Sequence, residues 1–190
     1  MSKKEIFISL FVAVAVGAFV LVSVHLRDKE RERDWERNQA AFTAIDVAGM
    51  TRDLLQANRV LPPVSAPNRQ DTLIGALERI DRRSESPMRE TLTDRPPTDG
   101  KVSVTRESDT SAMVCATVLD GGPVRCIYNY AQPDHSGGEP SKVLLPLDIR
   151  RAYGQGDTWQ QARCAARTIA EAGKDAVAKA CGPGAKPTVD

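Results

Sequence analysis

Between Ile6 and Leu26 the chain runs for about 20 residues without an Asp, Glu, Lys or Arg, which is the length one helix needs to cross the hydrocarbon core of a bilayer. In lipid every backbone N–H and C=O must be satisfied within the segment, so a run of this kind has a helix as its natural fold. The expectation is an anchor over 5–26 behind a short leader, 1–4. A signal peptide is the alternative, because Val16-Gly17-Ala18 supplies small residues at cleavage positions. The run continues through Phe19-Val20-Leu21-Val22, past the short apolar core of such a peptide, and this favours an uncleaved anchor.

Orientation is set by two opposing signals. Lys3 and Lys4 precede the anchor while Arg27, Lys29, Arg31, Arg33 and Arg37 follow it, so the count of cations alone puts the carboxyl side in the cytoplasm. Asp28, Glu30, Glu32, Asp34 and Glu36 alternate with those cations, and a four-residue leader is easily retained inside. The four cysteines, Cys115, Cys126, Cys164 and Cys181, all lie behind the anchor. An even number in a small region points to disulfides and an oxidising compartment. The expected location is therefore the inner membrane, single-pass, with the C-terminal domain periplasmic.

The spacing of the cysteines suggests their partners. If Asp120-Gly121 is a two-residue hairpin turn, Thr117 faces Val124 and Cys115 faces Cys126, within disulfide reach. That count makes the pair a hydrogen-bonded one, at the wider of the two antiparallel spacings. On one unbroken helix Cys164 and Cys181 would stand on the order of 25 Å apart, so their pairing requires a break, for which Ala172-Gly173 is the place. Four cysteines allow three complete pairings, and reduced buried thiols are the alternative. Zinc is disfavoured because no gap has the short ligand spacing of a structural site.

Behind the anchor, RDKERERDWER alternates in sign and continues into NQAAFTAIDVAGMTRDLLQA, so 27–60 is expected to be a membrane-proximal helix. Ala40, Thr43, Val47, Met50, Leu54 and Ala57 form an i, i+3, i+4 seam. Val47, Met50 and Leu54 are the candidate interaction seam, for another envelope protein or a second copy, with packing on the chain's own globular part as the alternative. Trp35 and Phe42 lie off that seam. Pro62-Pro63 and Pro67 end the helix. Residues 61–100 read as a loop-rich linker holding one short helix near 71–83, capped by Asp71, with Leu73, Leu77 and Ile80 on one face.

Residues 101–182 carry the folded core, followed by a tail, 183–190. KVSVT, SAMVCATVL, VRCIYNYA and KVLLPLDI are strand-like, giving a small antiparallel sheet. Asp157 with Gln160 fits a capping box before a helix whose Trp159, Ala162, Ala166 and Ile169 form an apolar stripe. The expected fold class is α+β: an N-terminal transmembrane helix continuing into a long helix, then a small antiparallel sheet with one or two packed C-terminal helices, disulfide-stabilised.

The chain offers little for catalysis. Asp134-His135-Ser136 holds triad residue types, but neighbours in sequence do not converge on one point. Gly154-Gln155-Gly156 before a helix invites an anion, yet it lacks the lysine of a P-loop and reads as a turn. Tyr128 and Tyr130 share a strand face with Cys126, as a contact patch or as disulfide packing. The net charge of +1 with interleaved signs provides no footprint for nucleic acid. No enzyme activity, cofactor or metal is expected; the expected partners are the membrane and other envelope proteins or self.

This layout, a short leader, one anchor running into a long helix, a loop-rich middle and a small disulfide-bearing α+β head, is similar to that of pilin-like subunits and inner-membrane parts of pilus or secretion machines. Glu5 beside an apolar helix resembles the pilin amino terminus, whereas Lys3 and Lys4 stand where a mature pilin is apolar. A phage inner-membrane spanin is similar in its anchor and charged helix only. The resemblance of layout implies a non-enzymatic structural or assembly component of the envelope. The alternative is an anchored enzyme or inhibitor acting on envelope material.

Overall fold

A computed structural model of the chain describes residues 3–81, 92–98, 101–117, 123–132 and 148–187, with the side chains of 3–15 and 36–38 outside that description. The chain forms two units, Met1–Asn38 and Gln39–Asp190. Helix α1 (Lys3–Asn58) takes in the apolar run and the charged segment, as the sequence predicts. In the first unit Phe19 and Leu21 are 74% and 72% exposed. Among the described residues no helix is long and apolar enough to cross a membrane. Residues 5–15, half of the span expected over 5–26, have side chains outside the description, so that span stands on the sequence alone.

Helix α1 stops before the prolines are reached. Arg59 takes up the left-handed conformation (φ 60°) and its N–H donates to the Leu55 carbonyl at 2.9 Å, closing the last turn. The chain that follows is tied down by Leu61, whose N–H donates to the Asp109 carbonyl at 2.8 Å and whose own carbonyl accepts from Arg106 Nε at 3.2 Å. Helix α2 (Leu73–Asp81) forms near the expected place, with Leu73 and Leu77 buried. Its cap is Thr72 rather than Asp71: the Thr72 Oγ1 accepts from the Gly75 N–H at 3.1 Å.

The second unit is built on a six-stranded sheet in the order β1-β2-β3-β4-β5-β6, each strand beside its neighbour in sequence. The strands are β1 (Leu92–Thr93), β2 (Val102–Ser108), β3 (Ser111–Thr117), β4 (Val124–Gln132), β5 (Asp148–Gly156) and β6 (Lys186–Pro187). The sheet is mixed rather than antiparallel throughout, since β1 runs parallel to β2 inside the stretch expected to be loop. Lys186–Pro187, expected in the tail, pairs with Gln155 and Gly154. Strands β3 and β4 hold the expected register, Cys115 opposite Cys126 and Thr117 opposite Val124; the turn itself, 118–122, lies outside the described residues.

Both faces of the sheet are covered, and β3 shows why. Its Ala112, Val114 and Ala116 join a core with Ala44, Val47, Ala48 and Leu55 of α1 and Leu77 of α2. Its Met113 and Cys115 join a second core with Ala162 and Ala166 of α3 (Trp159–Ala172). Period-two alternation therefore feeds two layers at once, and every residue from Ser111 to Ala116 is buried. The proposed partner seam is thereby corrected: Val47 is 0% and Leu54 9% exposed, packed with Met50 inside the chain's own core. Each such side chain contributes about 1.5–3 kcal/mol on burial. Asn129, 0% exposed, pins the layer by donating its Nδ2 to the Ala48 carbonyl at 2.6 Å.

Helix α3 begins on a capping box of Thr158 and Gln161, one residue later than the expected Asp157 and Gln160. It ends at Gly173 (φ 83°), whose N–H donates to the Ile169 carbonyl at 3.1 Å. A short turn, Lys174–Ala176, leads to α4 (Val177–Cys181), and this break brings Cys181 back to Cys164.

Candidate functional site

Both expected disulfides are present. Cys115 and Cys126 are bonded with Cα atoms 4.1 Å apart, and Cys164 and Cys181 with Cα atoms 5.7 Å apart. The first distance is that of the close, non-hydrogen-bonded pair, which corrects the wider spacing inferred from a two-residue turn. This bridge lies between the sheet and α3, against Met113, Val124 and Tyr128.

Tyr128 and Tyr130 stack with ring centroids 5.6 Å apart. Tyr128 is 7% exposed and belongs to the core beneath α3, with Tyr130 half-buried at its margin, so the pair is disulfide packing more than an open contact patch. Burial holds the Tyr130 phenol above its ordinary value, opposed by Arg150 and reinforced by Asp148 and Tyr128.

Gly154-Gln155-Gly156 is the end of β5 rather than a turn, and no anion seat forms there. A Cβ at Gly154 would lie 2.4 Å from the Ala162 carbonyl oxygen and from the Ala166 nitrogen, and one at Gly156 would lie 2.6 Å from the Gln161 Cβ. The glycines let α3 lie directly on the strand. The helix start is already served by its own Thr158 and Gln161, which leaves fewer free N–H groups for a ligand. Asp134, His135 and Ser136 lie outside the described residues. Among the described residues no group of three or more His, Cys, Asp or Glu side chains could hold a metal ion.

The outer side of α3 carries a charged cluster that sequence reasoning did not find. Glu107, at the end of β2, has a side chain only 4% exposed. Its Oε2 accepts from Arg163 Nη2 and lies 3.6 Å from Arg167 Nη1. Two guanidiniums offset the cost of burying one carboxylate. The Arg163 guanidinium also lies 5.0 Å from the Trp159 ring centroid, over the face where the ring's quadrupole attracts a cation. Beside this cluster a shallow groove of about 390 Å³ is lined by Gln160, Arg163, Cys164, Arg167, Thr168 and Glu171. It offers charge and a disulfide sulfur, with no hydroxyl–imidazole pair to activate a nucleophile. The only sequence signal for it was the i, i+4 arginine pair.

Elsewhere, Trp35 is 64%, Phe42 66% and Ile45 49% exposed on α1. The chain matches no family model, and neither a curated protein nor a solved structure is significantly similar to it.

Proposed function

We propose that this chain is a single-pass envelope protein, anchored through 5–26 in the inner membrane with its head in the periplasm. It acts as a non-enzymatic structural or assembly component of a pilus or secretion-type machine, docking on other envelope proteins. The observation that carries this reading is the pairing of all four cysteines into two disulfides behind an uncharged run of bilayer length. Bridges of this kind persist in an oxidising compartment, and a stretch such as Ile6–Leu26 is the means of staying attached at its border. With Val47, Met50 and Leu54 used in the core, the docking face passes to Phe42 and Ile45 on the opposite side of the same helix.

Carboxyl-terminal reporter fusions and photo-crosslinking in membranes test it. An active alkaline-phosphatase fusion with a dark cytoplasmic fluorescent fusion is expected, and the reverse pattern overturns the periplasmic assignment. A photoreactive residue at Phe42 or Ile45 is expected to capture one discrete envelope protein, whereas one at Val47 captures none. Equal absence of adducts at Phe42, Ile45 and Val47 overturns the docking role.

A further inference from the structure

The two disulfides differ in what surrounds them. Cys115 and Cys126 are 0% and 1% exposed, sealed between the sheet and Ala162 and Ala166 of α3. Cys164 and Cys181 are both only partly buried, and Cys164 forms part of the wall of the α3 groove. Thiol–disulfide exchange needs a thiolate to reach a sulfur, so access separates the two bridges chemically.

Two further features favour exchange there, and charge is not one of them, since Arg163 and Arg167 are balanced by Glu107 and Glu171. Thr168 Oγ1 lies 3.4 Å from Cys181 Sγ and 3.9 Å from Cys164 Sγ, placed to donate its proton to a sulfur that becomes anionic. The segment the bridge holds is small: α4 is five residues long, and Val177 and Ala185 are its buried apolar contacts with α3.

We propose that Cys164–Cys181 is a thiol–disulfide exchange site for a dithiol reductant. A thiolate of the dithiol attacks Cys164 Sγ, forming a mixed disulfide as the Cys164–Cys181 bond breaks. Cys181 leaves as a thiolate, hydrogen-bonded by Thr168, and takes a proton from solvent. The second thiol of the dithiol, deprotonated, then attacks the mixed disulfide. It releases Cys164, which is protonated in turn, and the dithiol is left as its own disulfide after giving up two electrons. Thr168 is a positioning residue in this step. Opening the bridge frees α4 and, five residues further on, β6 from the edge of the sheet. The inference does not rest on the envelope role.

The test uses the full-length oxidised protein in detergent, exposed to graded dithiothreitol at neutral pH, quenched with maleimide and mapped by mass spectrometry. Cys164 and Cys181 are expected to label at least about tenfold faster than Cys115 and Cys126, whose reaction waits on opening of the core. Thr168→Val is expected to slow the first reaction about fivefold, with Thr168→Ser restoring it and the melting temperature of both oxidised variants near that of the parent. With oxidised glutathione, Cys181→Ser protein is expected to trap a mixed disulfide on Cys164 faster than Cys164→Ser protein does on Cys181. Simultaneous labelling of all four cysteines, or earlier labelling of Cys115 and Cys126, overturns the proposal; a rate unchanged by Thr168→Val overturns the part given to Thr168.

Discussion

Replacing Gly154 by alanine would put a methyl carbon 2.4 Å from the Ala162 carbonyl oxygen, 2.4 Å from the Ala166 nitrogen and 3.0 Å from the Ala165 Cβ. Non-bonded heavy atoms settle about 3.5 Å apart, so α3 would have to lift by about 1 Å, because two of the three obstructions are backbone and cannot change rotamer. A gap of about 1 Å forfeits up to about half of each dispersion contact it opens. It would open along a helix face on which Ala162, Ala165 and Ala166 are all 0% exposed. Overpacking against an unyielding neighbour stands at the upper end of the usual range, about 3 kcal/mol. The stiffer unfolded chain returns about 0.4–1 kcal/mol, leaving a net loss of about 2 kcal/mol. For a unit of this size that lowers the melting temperature by about 4–8 °C. Gly49→Ala is the matched control: it has nothing within 4 Å of the added carbon and lies inside α1, so a gain of about 0.5–1 kcal/mol is expected. Thermal and urea melts of the oxidised full chain, followed by circular dichroism, read both. A Gly154→Ala protein within about 0.5 kcal/mol of the parent would refute the seating of α3 on β5.

Val47→Asp, which places a charge at a 0% exposed site, is expected to unfold the second unit or cost more than about 3 kcal/mol, whereas Phe42→Asp, at a 66% exposed site, shifts stability by less than about 0.5 kcal/mol; urea titration separates them. Cys115→Ser opens a bridge spanning 11 residues and is expected to cost about 3 kcal/mol in the chain-entropy account, measured as a lower midpoint without reductant and a thiol at Cys126 that maleimide labels once the protein is denatured. Because burial raises the Tyr130 phenol above its unfolded value, its contribution is complete below about pH 10 and is lost as pH climbs through the folded value. Tyr130→Phe is expected to flatten that alkaline fall in stability, and absorbance at 295 nm should show a late-ionising tyrosine in the parent that is missing from the variant.

What the sequence reveals of this fold depends on the range of the interaction. The register of Cys115 on Cys126 is local, set by a separation of 11 residues and the strand period of two, and the Cys164–Cys181 pair follows once Gly173 is recognised as a break. The hydrogen-bonding phase of the first pair differs from the one a two-residue turn predicts, because one register is compatible with either phase. The strand Asp148–Gly156 overlaps the expected KVLLPLDI only at Asp148 and Ile149, residues 142–147 lying outside the described residues, and the rest of it is hidden from sequence for a tertiary reason: DIRRAYGQG carries two arginines and two glycines, and the glycines are there because a helix backbone lies on that face. Helical periodicity found Val47 and Leu54 but could not say whose surface covers them, and it placed the seam slightly off the true centre at Ala44, Val47, Ala48 and Leu55. The Glu107–Arg163 pair joins residues 56 apart, a separation for which no local pattern exists.

The hydrogen bond from Asn129 to the Ala48 carbonyl spans 81 residues, and it dictates an order of assembly. Strands β2 to β5 pair with sequence neighbours, so their contacts join residues much nearer in the chain than the 81 that separate Ala48 from Asn129. The inner face of α1 has no such local partner. Val47, Ala48 and Leu55 must wait uncovered until β4 has been made and paired, since the surface that receives them is built from Val102, Val114 and Ile127. During biogenesis the late half of α1 is thus an adhesive stripe in search of a sheet, and the chain's exposure to misassociation and to holding chaperones is concentrated in that interval. The amide on a central strand then fastens the helix through a main-chain carbonyl, a group that every turn presents, so the helical register is selected instead by the side chains the sheet must receive, Ala44, Val47, Ala48 and Leu55.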